Sequence, residues 1–185
     1  MIYAQLHLTL PAWIHEDVDG DRLYPDAESR IALAIRLSRL NVDHRSGGPF
    51  GAAVFTGAGR LVGVGVNRVV PHNCSAAHAE VMALTTSQQR MQSFRLNLGG
   101  ERITLATSAQ PCSMCYGALI WAGIDELLIA ATADDVQTLA GFDEGPLPAD
   151  WAGELRKRGI EVHTDLMRDH ARDVLRDYGE SGLVY

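Results

Sequence analysis

Residues 50–66 read Phe50-Gly51-Ala52-Ala53-Val54-Phe55-Thr56-Gly57-Ala58-Gly59-Arg60-Leu61-Val62-Gly63-Val64-Gly65-Val66, two short apolar runs around a Thr/Gly-rich break. Runs of this length, bounded by turn residues, form the pattern of a β-hairpin. On the C-terminal side the pattern changes to alternating helices and strands. Ala76-Ala77-His78-Ala79-Glu80-Val81-Met82-Ala83-Leu84 opens an apolar helix, and Ile103–Thr107 reads as a strand. Pro111 precedes a helix running through Trp121, followed by a strand at Ile124–Ala131 and a short helix at Asp134–Leu139. Gly141–Trp151 is broken by glycine and proline and reads as a loop; 152–158 is helical, Ile160–His163 a strand and 167–178 a final helix. On the N-terminal side, residues 2–10 are extended up to Pro11. Pro25 then opens a helix in which Ile31, Ala34, Ile35, Leu37 and Leu40 recur at helical spacing. A hairpin followed by strand–helix alternation predicts an α/β chain, a three-layer α/β/α sandwich around a mixed five-stranded sheet.

The 185 residues suit one domain with a sizeable core, and 46% of them are apolar. No apolar run is long enough to span a membrane. The first residues lack the basic start and apolar stretch of a signal peptide. The formal net charge of −7 argues against a partner with a phosphate backbone, and the short cluster Arg156-Lys157-Arg158 reads as a solvated face. A small-molecule ligand fits better. Three cysteines with no disulfide pattern point to a reducing, cytoplasmic setting.

The chemistry concentrates in two places, His78-Ala79-Glu80 and Pro111-Cys112-Ser113-Met114-Cys115. His78, Cys112 and Cys115 are three zinc ligands of the catalytic kind, because a structural site normally closes its tetrahedron with a fourth protein donor. Glu80 remains as an unspent carboxylate, suited to moving protons to and from a water whose pKa the metal lowers toward roughly 7. Cys112 and Cys115 share one face of a helix opening after Pro111, where the helix N-terminus favours thiolate. Two blander readings compete. Cys-x-x-Cys also occurs as a redox pair, and Cys74 is the candidate fourth ligand of a purely structural site. Otherwise Cys74 is a small residue near the pocket wall. His7, His15, His44, His72, His163 and His170 show no ligand-like grouping, although His72 is near the site in sequence. Trp121 and Trp151 read as packing residues.

Over nearly its whole length this order of motifs resembles the cytidine deaminase-like zinc fold, whose signature couples His-x-Glu to Pro-Cys-x-x-Cys. Within it the chain is similar to the compact bacterial guanine deaminases. The closer likeness lies in Gly47-Gly48-Pro49-Phe50, Asn67-Arg68-Val69-Val70-Pro71, Cys74 to Glu80 and, most specifically, Gly141-Phe142-Asp143-Glu144-Gly145-Pro146. The resemblance implies a single deaminase domain over 1–185, with a zinc core at about 50–131, an active-site loop at about 141–151 and a C-terminal helical segment at about 164–185. It implies one zinc ion on His78, Cys112 and Cys115, and Glu80 as the proton relay. Asn67 would hydrogen-bond the base, Phe50 would lie along the ring and Phe142 would cover it. Glu144 would read the ring edge and help protonate the leaving amine, while the Cys112 N–H would stabilise charge on the attacked centre.

The implied reaction is hydrolysis of guanine to xanthine and ammonia. Ammeline or another amino-triazine, and cytosine, are alternative substrates; tRNA adenosine and a non-catalytic zinc-stabilised domain are more distant ones. The resemblance also implies a homodimer; some similar enzymes exchange C-terminal segments, and Asp177–Tyr185 is the corresponding stretch of this chain. Gln110 departs from the pattern, since many members carry Glu before the Pro-Cys pair.

Overall fold

In a computed structural model, which describes residue 2 and residues 4–182, the hairpin forms β1 (Gly51–Thr56) and β2 (Leu61–Val66). They pair antiparallel from Gly51 opposite Val66, with a register shift between Val54 and Phe55. Three further strands follow, β3 (Ile103–Ala109), β4 (Glu126–Ala131) and β5 (Glu161–His163). The sheet order is β2-β1-β3-β4-β5. β3 is antiparallel to β1, whereas β3, β4 and β5 run parallel. The expected mixed five-stranded sheet is present.

Every residue of β1 and β3 is buried, as expected for strands covered on both faces. Alternate side chains enter different cores. Ala53, Phe55, Ala106, Leu128 and Ala130 pack with the helices α2 (Ala27–Asp43), α6 (Ala133–Ala140) and α8 (Arg168–Glu180). Ala52, Val54, Leu105, Leu127 and Ile129 face the other way, toward α4 (Ala79–Met91), α5 (Ser113–Ala122) and α7 (Trp151–Arg156). The period-two alternation of the strands thus builds the three layers. Crossovers through α5 and then α6 and α7 connect the parallel strands, as that geometry demands.

Local chemistry fixes where these helices begin. Asp26 caps α2 by accepting from Ser29 N–H at 2.7 Å, in a reciprocal capping box. Thr132 and Asp135 form the same device at α6. Asp135 is also held by Arg168 Nε at 2.7 Å and by Arg172, which ties α6 to α8. On the other face α4 lies directly on β2 because Gly65 has no side chain; a Cβ there would sit 2.0 Å from the Ala79 carbonyl oxygen.

Three short elements were not legible in the sequence. These are α1 (Ile14–Asp17), α3 (Val69–His72) and a 3-10 turn at Leu96–Gly99. Pro71 falls within the first turn of α3, where no intrahelical N–H bond is lost. Trp151 packs half-buried as expected. Trp121 does not: it is 81% exposed on the outer face of α5. Its position satisfies helical spacing, but the adjoining side chains cover only one side of the helix. Leu183-Val184-Tyr185, the end of the C-terminal stretch, lies outside the described residues. Among the described residues no helix is long and apolar enough to cross a membrane.

Candidate active site

Two helix N-termini meet at the C-terminal end of β3. His78 is the N-cap residue of α4, and Cys112 is the N-cap residue of α5. His78 Nδ1 lies 3.4 Å from Cys112 Sγ and 3.7 Å from Cys115 Sγ. A tetrahedral zinc with bonds of about 2.3 Å to sulfur and 2.0 Å to nitrogen separates such donors by roughly 3.6 Å. The donor set therefore fits zinc in chemistry and in spacing. Cys74 is not part of this group; its N–H instead closes the turn to the Val69 carbonyl. His72 is engaged elsewhere, with Nε2 2.7 Å from the Thr9 carbonyl oxygen. The other acid–histidine grouping among the described residues, Glu126, Glu161 and His163, is bridged by Arg102, 2.6 Å from Glu161.

Glu80, in the first turn of α4, is only 6% exposed. Thr107 Oγ1 donates to its Oε1 at 3.4 Å, and Cys115 Sγ is 3.4 Å from Oε2. The carboxylate is thus beside the ligands. A cavity of about 210 Å³ opens over it, walled by Phe50, Gln110, Phe142, Asp143 and Glu144. The wall formed by the Gly141–Asp150 segment is pinned to α5, because Ser113 N–H donates to the Glu144 carbonyl at 2.9 Å. Asp143 Oδ1 accepts from Gly145 N–H at 2.8 Å, and Gly145 takes φ +73°, a left-handed turn. Phe142 is wedged between Phe50, at 5.4 Å between ring centroids, and Tyr178 of α8, at 6.0 Å.

Residues 25–131 match the family described as the cytidine and deoxycytidylate deaminase zinc-binding region. The chain belongs to this family. It is 43% identical to the guanine deaminase from Nitrosomonas europaea, covering 97% of this chain and 99% of that one, with a TM-score of 0.91. It is 44% identical to NE0047 solved in complex with 2,6-diaminopurine, covering 98% and 96% of the two chains, with a TM-score of 0.92. A guanine deaminase from Bacillus subtilis is 30% identical over 143 residues, 77% of this chain and 88% of the relative.

The site of this deaminase-family chain is crowded with acids and thiols, and proximity shifts them apart. A hydrogen bond from Cys115, reinforced by His78, lowers Cys112 to a pKa of about 4. Cys115 moves upward, through its bond to Cys112 and its burial. The hydrogen bond to Cys112 raises His78. Burial raises Glu80. Burial first, and then the charges of Glu80 and Cys112, push Glu144 up to about 8. Binding zinc requires both cysteines as thiolates, so metal loading releases the Cys115 proton.

The geometry brings together His78, Glu80, Cys112, Cys115, Phe50, Phe142 and Glu144. Asn67 directly follows β2. It is 1% exposed at the end of β2, and its Oδ1 accepts from Gly48 and Val69 N–H groups at 3.4 and 3.3 Å. Asp143, Thr107 and Gln110 are site residues to which the sequence assigned no role. Asp143 had a visible signal, its place between Phe142 and Glu144; Thr107 had none, because only the fold brings β3 under α4.

Proposed function

We propose that this chain is a zinc-dependent guanine deaminase, hydrolysing guanine to xanthine and ammonia. The observation that carries this reading is the Phe142-Asp143-Glu144 wall, which sets one aromatic ring and two carboxyl groups over the His78/Cys112/Cys115 donors. Likeness to a guanine deaminase across almost the whole chain supports the same substrate.

In this reading one zinc per chain, held by His78, Cys112 and Cys115, supplies the Lewis acidity that makes water a competent nucleophile near neutral pH. Phe50 lies along the ring of the base, Phe142, packed edge-on against Phe50, covers it from the loop, and Asn67, with its carbonyl already fixed by two backbone donors, hydrogen-bonds it. Glu80 takes one proton from the attacking water and passes it to the ring nitrogen beside the amino-bearing carbon. Glu144, whose burial favours the protonated form, gives its proton to the departing amine and recovers one from the added hydroxyl. The C–N bond breaks, ammonia leaves and the ring keeps the new carbonyl. A cavity of about 210 Å³ favours a free base over a ribosylated one.

The partner is a small nucleobase, without nucleic acid, in keeping with the net charge of −7. The free Cys74, Cys112 and Cys115 support a cytoplasmic location. We read the chain as one domain and as a homodimer. Phe94 and Trp121, 79% and 81% exposed, line one groove between α4 and α5, and a second copy is the occupant we assign to it. The function is tested by following xanthine formation from guanine with the zinc-loaded protein. Steady conversion is the expected result, and no conversion overturns the reading.

A further inference from the structure

Gln110 is the last residue before the Pro-Cys pair, and its backbone N–H donates to the Ala131 carbonyl at 2.9 Å. Its side chain reaches across to α6, where Oε1 accepts from Ala133 N–H in a long bond of 3.4 Å. Ala133 is the first residue of that helix; the capping box serves the N–H groups of Thr132 and Asp135 and leaves this one to Gln110. Because a backbone N–H can only donate, it selects the amide oxygen, and the orientation of the amide follows. The Nε2 group is left over. Among the described residues, the buried side-chain nitrogen or oxygen without a partner is Arg68 Nε and not this one. Gln110 lines the cavity, and Nε2 is the amide atom that α6 does not engage.

The link to α6 does not itself call for glutamine. A glutamate would accept from the same N–H, and a helix N-terminus would favour its negative charge. What glutamine adds is a donor. The remaining polar walls are His78, whose Nδ1 faces the two thiols, and the carboxyl groups of Glu80, Asp143 and Glu144, of which Glu80 and Glu144 are assigned to moving protons. We propose that Gln110 is a specificity-determining residue: α6 holds its oxygen, and its Nε2 donates to an acceptor atom of the bound base, a ring nitrogen or a carbonyl oxygen. The inference rests on the guanine reading. Guanine offers such acceptors at N3, N7 and O6, and a base lacking the contacted one leaves the donor unpaired in a half-closed cavity.

Two variants separate the donor from mere neutrality. Gln110→Glu keeps the bond to Ala133 but replaces donor with acceptor, whereas Gln110→Met is neutral and lacks both. Both are expected to retain one zinc per chain, to raise KM for guanine about tenfold with a smaller change in kcat, and to weaken 8-azaguanine binding by calorimetry to a similar extent. The decisive comparison uses 3-deazaguanine, 7-deazaguanine and 2-aminopurine, each lacking one acceptor. One of them should lose about tenfold in affinity for the wild-type chain and lose nothing further in Gln110→Glu. This comparison stands even if Gln110→Met fails to fold. Equal losses in wild type and variant for all three analogues overturn the proposal, as does impairment of Gln110→Glu alone with Gln110→Met unaffected. A wild-type chain that neither converts guanine nor binds 8-azaguanine fails the guanine reading, and the Gln110 assignment falls with it. An active wild type with unaltered variants overturns the Gln110 assignment only.

Discussion

Glu80 is held between Thr107 and Cys115, two residues past His78, so its carboxyl cannot move far without disturbing the donors. Substituting Glu80→Gln preserves the size of the side chain and removes the proton acceptor. Zinc content should stay at one per chain while kcat falls on the order of 10²- to 10⁴-fold, the usual worth of a positioned acid–base group; zinc analysis beside steady-state kinetics checks both. Turnover near the wild-type level would remove Glu80 from the proton path. Glu144→Ala should leave the melting temperature nearly unchanged, since Glu144 holds α5 through its backbone carbonyl, and should lower kcat more than it raises KM. At this scale the donors and Glu80 were legible because metal chemistry needs particular residue types at short spacings. Asn67 was legible as a residue but not in its bonding, which depends on the turn at Gly48 closing against the end of β2.

Two contacts between elements bear directly on the site. α4 delivers His78 and Glu80 only while it lies against β2, and Gly65 permits that approach. Gly65→Ala would force backbone apart from backbone; we expect a loss of roughly 1–3 kcal/mol in urea unfolding, with weakened zinc retention. Unchanged stability would contradict the packing. On the other face, burial opposes ionisation of Asp135, but hydrogen bonds from Arg168 and Thr132 outweigh it and hold the carboxyl well below the ordinary carboxylate range. The folded state thus binds this proton less readily than the unfolded chain. The stabilisation is complete above the unfolded value of about 3.9 and declines as pH falls below it, toward the lower folded value. Asp135→Asn should therefore cost roughly 1–3 kcal/mol at pH 7 and at pH 5, with the difference shrinking below about pH 4. A constant difference across that range would contradict the assignment. The strands and long helices were readable from apolar periodicity. The four-residue helices α1 and α3 were not, because such short segments carry too few residues to show a period.

The alternation of strand side chains between two cores gives the whole molecule its layers, and β2 and β3, both antiparallel to β1, end on one edge, where the N-termini of α4 and α5 meet. This much followed from the order of motifs. Surface roles did not, because a tryptophan at a helical position reads the same whether it faces core or water. Phe94 and Trp121 therefore mark the surface to test for assembly. Sedimentation should give a dimer for the wild type and a shift toward monomer for Trp121→Arg; a monomeric wild type would remove the homodimer. The central claim is narrower: a zinc-bearing site in this fold deaminates free guanine. It is tested most directly by ammonia release from the zinc-loaded protein with guanine, ammeline, cytosine, adenine, guanosine and cytidine offered separately. We predict the highest kcat/KM with guanine and loss of that activity on chelation; preference for another compound, or ammonia release indifferent to zinc, would contradict it.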